Sequence, residues 1–323
     1  MIYAIDILIA MIIDWIIGDP YGFPHPVIYI GKLISKLHKK AKKVCRTHKE
    51  LKCFGGFIVI VVATITFLVP FLILYITRNI TILHHALNIF ILWTTLACKC
   101  LGKEGKKIYT ELKKNDLEEA RVKLSYIVGR ETKSLSEHEV IRADVETIAE
   151  NTADGVIAPM FYAMIFGPFG AAGAMMYKGI NTMDSMLGYL TEEFKDIGFF
   201  PAKVDDVFNF IPARVTGVFI SLSAPFVKGN IINSVKIMIR DRKNHKSPNC
   251  AYAEGAAAGA MGVQLGGTNT YFGEVIYKPT IGDKVKELSK EHIVECIRLM
   301  YCSEIMFYLF YFFVILIWRV TRI

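Results

Sequence analysis

Asn79-Ile-Thr-Ile-Leu-His-His-Ala-Leu-Asn-Ile-Phe-Ile-Leu-Trp-Thr-Thr-Leu-Ala-Cys98 contains no Asp, Glu, Lys or Arg. At a rise of about 1.5 Å per residue, a helix of this length crosses a bilayer core of roughly 30 Å. Gly155 to Tyr177 is likewise uncharged and long enough to cross. Phe57 to Ile76 is uncharged and rich in β-branched residues, and Ile305 to Trp318 is short but gains length if its flanks snorkel or the helix tilts.

The whole chain shares this bias. Of its 323 residues 53% are hydrophobic and 21% charged, with a mean hydropathy of +0.37, too apolar for a soluble domain of this size. Two further stretches are apolar but carry polar groups: 2–17 holds Asp6 and Asp14, and 207–227 holds Asn209 and Arg214. Ionisable groups at membrane depth are expected to face protein or a cavity. The sequence therefore reads as an all-α, polytopic helical membrane protein with helical cytoplasmic loops. It forms a single membrane-embedded domain, 1–323, with membrane segments at 2–17, 57–76, 79–98, 155–177, 207–227 and 305–318. The N-terminus lacks the basic leader and small-residue cleavage site of a signal peptide.

Charge orients these segments. Residues 18–53 carry nine Lys or Arg against two acids, and residues 99–154 carry eleven basic residues, whereas the 77–81 link has only Arg78. Basic loops stay inside, so a cell-membrane location is expected with both long loops cytoplasmic. The net charge of +8 then reflects orientation rather than nucleic-acid binding, and no aromatic stacking platform accompanies the lysines. The seven cysteines form no CxxC pair, which argues against disulfides and structural zinc. No strand-like alternation is long enough to suggest a sheet. Helices are expected over 118–127 and 136–152, with Ser134 or Ser136 as cap.

Chemistry is concentrated in the polar motifs. Arg142-Ala-Asp-Val-Glu-Thr-Ile-Ala-Glu-Asn-Thr-Ala-Asp154 runs directly into an uncharged segment. On a helix, Glu146, Glu150 and Asp154 recur every four residues and share a face. Three stacked carboxylates repel one another unless a cation sits among them. The stack is read either as a solvated acidic face or as a Mg²⁺ site bridged to a substrate phosphate. Lys178, Asn181 and Ser185 share the next motif's face with Asp184 a turn beyond, a mix suited to a phosphorylated ligand, although Lys178 could simply snorkel. Arg214, inside an apolar stretch, calls for an anion: Asp205, Asp206 or a ligand phosphate.

The loop from Arg240 to Asn249 adds Arg242, His245, Ser247 and Asn249, followed by Glu254, the small-residue run Gly255 to Gly262, and Leu265-Gly-Gly-Thr-Asn-Thr-Tyr-Phe-Gly273. Glycines allow close backbone approach to a bulky ligand, or alternatively close helix packing. Near the N-terminus, Asp14-Trp-Ile-Ile-Gly-Asp-Pro20 and His25-Pro26 form a turn in which Asp19 serves a ligand or only the turn.

Taken in order, these blocks resemble the CobD/CbiB family, the membrane-bound adenosylcobinamide-phosphate synthases of cobalamin biosynthesis. The resemblance rests on Asp14 to Pro20, Ile127-Val-Gly-Arg130, Ala149 to Gly155, Tyr177-Lys178 with Asn181 to Met186, Pro212-Ala-Arg214, Ser247-Pro-Asn249, and Gly266-Gly267 with Tyr271-Phe-Gly273. The lysine-rich 36–52 stretch belongs to none of them. The resemblance implies an ATP-dependent ligase that joins a propionate carboxyl of adenosylcobyric acid to aminopropanol or its O-phosphate, with Mg²⁺ and ATP required. It also implies partners among other membrane-bound enzymes of the corrinoid pathway. The catalytic set is expected to be Glu146, Glu150, Asp154, Lys178 and Asp184, with the three acids on α-helical spacing holding the metal. Substrate binding is expected from Asp19, His25, Arg130, Asn151, Asn181, Arg214, Arg242, His245, Ser247, Asn249, Glu254 and Tyr271.

A carboxylate is inert to amines until activated, and an acyl phosphate supplies that activation. No Walker A loop is present, and Gly102-Lys-Glu-Gly-Lys106 has the wrong spacing, so nucleotide use rests on the resemblance and on energetics. The other classes are a CDP-alcohol phosphotransferase, whose expected Arg soon after Asp154-Gly155 is missing, and a transporter or sensor, which needs no such motif-dense loops. One conflict stands. If 155–177 simply crosses, Lys178 and Asp184 land outside, away from the acids. Residues 177–206 carry three basic residues against six acids, as an outer loop would. A break at Gly167-Pro-Phe-Gly170 would instead turn the chain back as a hairpin, and this or a tilted, cavity-lining arrangement is preferred.

Overall fold

A computed structural model describes residues 2–20, 22–189, 191–271 and 274–321. In chain order its helices are α1 (Ile2–Ile16), α2 (Pro26–Val44), α3 (His48–Thr77), α4 (Thr81–Trp93), α5 (Cys98–Lys113), α6 (Leu117–Ser125) and α7 (Glu137–Thr152). Next come α8 (Ala158–Phe166), α9 (Gly170–Leu187), α10 (Phe199–Phe208), α11 (Phe210–Leu222), α12 (Ile231–Asp241) and α13 (Cys250–Met261). A hairpin of β1 (Leu265–Tyr271) and β2 (Glu274–Ile281) precedes α14 (Glu291–Val320). Four helical runs are long and apolar enough to cross a membrane: His48–Thr77, Thr81–Lys113, Glu137–Leu187 and Glu291–Val320. Phe210–Leu222 is apolar but shorter. Two of these runs carry large exposed side chains, among them Ile60, Ile76, Phe310 and Ile317, a surface that lipid covers better than water. The protein is an all-α polytopic membrane protein.

The chain divides into two units. The first comprises Met1–Ala97, Ala158–Asn209 and Trp318–Ile323. Its α3 starts on a capping box, in which Thr47 accepts from the Glu50 N–H and Glu50 reaches back. Thr66 satisfies its hydroxyl inside the apolar helix by donating to Val62 O at 2.8 Å. Gly179 of α9 lies so close to it that a Cβ there would come within 2.6 Å of Thr66 Oγ1. Small residues thus let two membrane helices touch. Asp6 is buried, as its charge requires: it receives His85 Nδ1 at 2.8 Å and Asn88 Nδ2 at 2.7 Å from α4. The same Asn88 accepts from Ala171 N in the first turn of α9.

The stretch 155–177 does turn back. Gly167 adopts φ +51, the Gly167–Phe169 turn is 3₁₀, and α8 and α9 pack side by side. Tyr162 and Tyr177 stack with centroids 5.3 Å apart, whereas a straight helix would separate them by about 22 Å. Lys178 and Asp184 therefore lie at the same end of the hairpin as the N-terminus of α8. Residues 207–227 are also interrupted, with α10 ending at Phe208 and α11 at Leu222.

The second unit comprises Cys98–Ile157 and Phe210–Ile317. At its centre is α13, whose small residues Ala251 to Ala260, Tyr252 apart, are all buried. A Cβ on Gly259 would meet Ser234 Cα at 2.8 Å, and Gly255 lies against Met238 of the same helix, α12. The Gly255–Gly262 run is thus helix packing, not a ligand loop. Leu265–Tyr271, where no strand was expected, forms β1 and pairs antiparallel with β2, with a bulge between Leu265 and Gly267. The alternation expected of a strand is absent because two of its residues are glycines at φ +81 and +91. Their positive φ and missing Cβ are what let this backbone approach α7, and a Cβ on Gly267 would sit 2.8 Å from an Arg142 nitrogen. The expected helices over 118–127 and 136–152 are α6 and α7, the latter capped by Ser136 in a capping box with Glu139.

Candidate functional site

In the second unit, Arg142, Glu146 and Glu150 of α7 face the β-hairpin and α13. Glu146 is the hub. Its Oε2 receives Arg130 at 2.8 Å and its Oε1 receives the Gly266 N–H at 2.9 Å, while Arg142 Nε lies 3.8 Å away. Arg142 also donates to Gly266 O and, at 2.7 Å, to Thr268 O. One turn on, Glu150 Oε1 accepts from Cys250 Sγ at 3.0 Å. Asp154 lies within electrostatic reach of the same thiol.

The backbone over Ala153–Ile157, which carries Asp154, is a π-helical turn, and Glu150 and Asp154 both act on the Cys250 thiol. Glu146 is moreover neutralised by arginine on both sides. Among the described residues no three His, Cys, Asp or Glu side chains are grouped to hold a metal ion. Glu146, Glu150 and Asp154 therefore do not fit as a magnesium site.

Around this hub the electrostatics are unusual. Burial, and then the nearby Glu146 carboxylate, push Glu254 of α13 up to about 8, with Lys278 and Arg130 opposing. It is thus a protonated acid at neutral pH. Burial and then Glu150, Glu254 and Asp154 hold the Cys250 thiol well above its ordinary range, so it is a donor rather than a nucleophile. His245 Nε2 lies 3.2 Å from Lys278 Nζ, and its Nδ1 accepts from Ser247 N at 3.0 Å. Burial and Lys278 lower its pKa.

Arg214 belongs to the second unit. Its guanidinium lies 3.5 Å from the Phe210 ring centroid and 4.4 Å from that of Tyr252. It donates to Phe210 O and, at 3.2 Å, to Asn249 Oδ1. Asn249 N in turn donates to Ser247 Oγ at 3.3 Å. A half-buried guanidinium clamped by two rings, with no carboxylate partner among the described residues, is preorganised for an anion.

Two of the expected ligand residues are turned to their own helices. Asn151 donates to Thr147 O at 2.9 Å, and Arg242 donates to Ile239 O. Tyr271 lies in β1 with its side chain outside the described residues.

The first unit gathers a smaller polar group of its own. His25 caps α2, accepting from Val27 N at 3.3 Å, and lies 3.5 Å from Asp19. Burial lowers its pKa, Asp19 raises it and Lys178 lowers it again, so Asp19, His25 and Lys178 are neighbours. Asp205 receives Asn209 at 3.0 Å and Asn181 at 3.4 Å, and Tyr177 donates to Asn209 Oδ1 at 2.8 Å. Ser185 donates to Asn181 O of its own helix. Asp184 sits against Gly188, where a Cβ would come 2.0 Å from its carboxylate oxygen. Asp206 pairs with Lys203 at 3.2 Å.

Residues 7–300 match the family model described as CobD/Cbib protein. The chain belongs to the CobD/CbiB family. Among its relatives, the "Cobalamin biosynthesis protein CobD" of Clostridium acetobutylicum is 62% identical over 311 residues, covering 96% of this chain and 98% of that one. The protein of the same name from Listeria monocytogenes serovar 1/2a is 46% identical over 303 residues, 93% of this chain and 95% of its own. The "Cobalamin biosynthesis protein CbiB" of Salmonella typhimurium is 42% identical over 297 residues, 92% of each chain. No solved structure matches. For this CobD/CbiB member, sequence reasoning missed three groups at the hub. Arg142 opened the quoted motif and yet was assigned nothing, Lys278 carries no motif signal, and Cys250 was set aside with the other cysteines.

Proposed function

We propose that the chain acts in cobalamin biosynthesis as an ATP-dependent amide-forming ligase. Adenosylcobyric acid and aminopropanol, or its O-phosphate, would be joined to give adenosylcobinamide or its phosphate. The observation that carries this reading is the near-full-length match to relatives named for cobalamin biosynthesis. The amide chemistry is supported by the family resemblance and by the charged groups of the second unit.

The step balances as two displacements. A carboxylate oxygen of the corrinoid attacks the γ-phosphorus of ATP and ADP leaves. The amine then attacks the acyl carbon, the C–N bond forms, phosphate departs with the bonding pair, and the surplus proton of the ammonium passes to a base. Arg214, clamped and without a carboxylate, suits the phosphate. Lys278 adds a second cation in that unit. Glu150 suits the role of base, and Glu254, protonated near neutrality, that of a hydrogen-bond donor to developing negative charge. ATP enters as a substrate with its own Mg²⁺, and no residue of the chain is assigned to the metal.

The basic stretches 18–53 and 99–154 favour a cytoplasmic position in the cell membrane for these segments, on the side where ATP is found. The test is ATP consumption by purified membranes. It is expected only when a corrinoid acid and an amino alcohol are both present, with amide formed in equal amount. ATP hydrolysis indifferent to either substrate, or amide made without ATP, would overturn the reading.

A further inference from the structure

We propose that the lysine stripe of α2 is a binding site for anionic phospholipid headgroups. The proposal is independent of the reaction above. On one side α2 buries Ile30, Ile34 and Ala41, where Gly31 keeps it in van der Waals range of Met186 on α9. The other side lines an open groove of about 800 Å³ with Lys32, Lys36, Lys39, Lys40 and Lys43. These positions recur at three- and four-residue spacing and so form one continuous row of charge.

Among the described residues Lys36, Lys39, Lys40 and Lys43 have no carboxylate partner. Glu193, the acid that does reach α2, is bonded to Lys42 outside the groove. Lys32 has only the Tyr29 ring, 5.4 Å from its Nζ. Like charges in a row repel, and an anion from outside removes that repulsion.

The position of the helix identifies the anion. Val44 ends α2 and His48 begins α3, a candidate membrane span whose uncharged run starts at Cys53. A cationic amphipathic helix joined this closely to a span lies at the level of the headgroups. Ile28 and Tyr29, both at least half exposed, add the apolar and phenolic side chains typical of that interface. The groove is open and built from ammonium groups, with no arginine fork and no cradle of backbone N–H groups such as a single phosphate would need. It suits many loosely held phosphodiesters rather than one tightly held ligand.

The test uses the full-length protein in neutral detergent and measures binding of phosphatidylglycerol in mixed micelles, with phosphatidylcholine for comparison. Phosphatidylglycerol should bind, phosphatidylcholine should not, and binding should weaken steeply as salt is raised. Replacing Lys36, Lys39 and Lys43 by Gln should weaken it roughly a hundredfold, from roughly fivefold per lysine, without moving the lipid-free melting temperature. If the triple variant does not fold, the three single variants carry the test, each expected to lose roughly fivefold. Equal affinity for the two lipids, or unchanged affinity in the variants, would overturn the proposal. So would displacement by millimolar inorganic phosphate, which would mark a site for soluble phosphate instead.

Discussion

The Arg130 guanidinium lies 2.8 Å from Glu146 Oε2, with the two side chains 7% and 3% exposed. An ion pair this deep is sustained by geometry and by its further hydrogen bond to Gly266 N, and removing one partner strands the other. Glu146→Gln and Arg130→Met should therefore each lower unfolding stability by roughly 3 to 5 kcal/mol, measured by thermal melting in detergent. Because Gly266 N and Arg142 anchor the same carboxylate, Glu146→Gln should also loosen the β-hairpin. Faster amide exchange in residues 265–268 is the readout, and an unchanged melting temperature would remove Glu146 from a structural role.

Arg214→Leu separates a ligand cation from a structural one. In the first unit Asp205 is held by Asn181 and Asn209, and Asp206 by Lys203. The variant forfeits its ring contacts, worth about 0.5 to 1 kcal/mol, and strands no carboxylate. Its melting temperature should stay within a few degrees of the parent, while the stabilisation conferred by substrates disappears. A collapse in stability repaired by also changing Asp205 would show that the pair exists after all.

The α8–α9 hairpin sets the side on which Lys178 acts. In a cysteine-free background, cysteines placed at Ser185 and at Lys39 should be labelled by an impermeant reagent from the same side of the membrane. Gly170→Val should disturb this, since even a Cβ at Gly170 would stand 2.7 Å from Ala163 O. Labelling of the two positions from opposite sides would mean that the segment crosses the membrane once without turning back.

What the sequence made legible came from strong local signals. Uncharged runs such as 79–98 announced membrane helices, Ser136 with Glu139 announced the start of α7, and Gly167-Pro168 announced the turn. Some failures arose where tertiary contacts overrode local pattern. The four-residue spacing of Glu146, Glu150 and Asp154 could not reveal that two arginines flank Glu146 or that a π-helical turn begins immediately after Thr152. Gly266 and Gly267 hid a strand because their purpose is to admit Arg142 rather than to alternate. Arg214 left three anions open, Asp205, Asp206 or a ligand phosphate, and proximity in sequence did not decide among them. Lys278 could not be found at all, since its partner His245 is brought to it only by folding.

Stability should also depend on pH through Glu254. This residue is 3% exposed, and the charges that act on it are Glu146 and Glu150 from α7, Lys278 from β2 and Arg130 from the loop before α7. Burial and the two acids outweigh the two cations and raise its pKa from 4.5 to about 8. Below pH 4.5 the carboxyl is protonated whether the chain is folded or not. Between 4.5 and 8 the folded protein holds a proton that the unfolded chain has released, so stability falls as pH rises, by at most about 1.4 kcal/mol per pH unit. Above 8 the loss is complete. Glu254→Gln, an uncharged near-isostere, should match the parent at pH 5 and be the more stable protein at pH 8, with a flatter melting profile between them. If the neutral acid also donates to charge developing in the reaction, the variant, whose amide can still donate but cannot ionise, should keep activity at pH 8 better than the parent does. Melting curves of parent and variant from pH 5 to 8 decide the matter: profiles that run parallel would show that Glu254 is already ionised across that range.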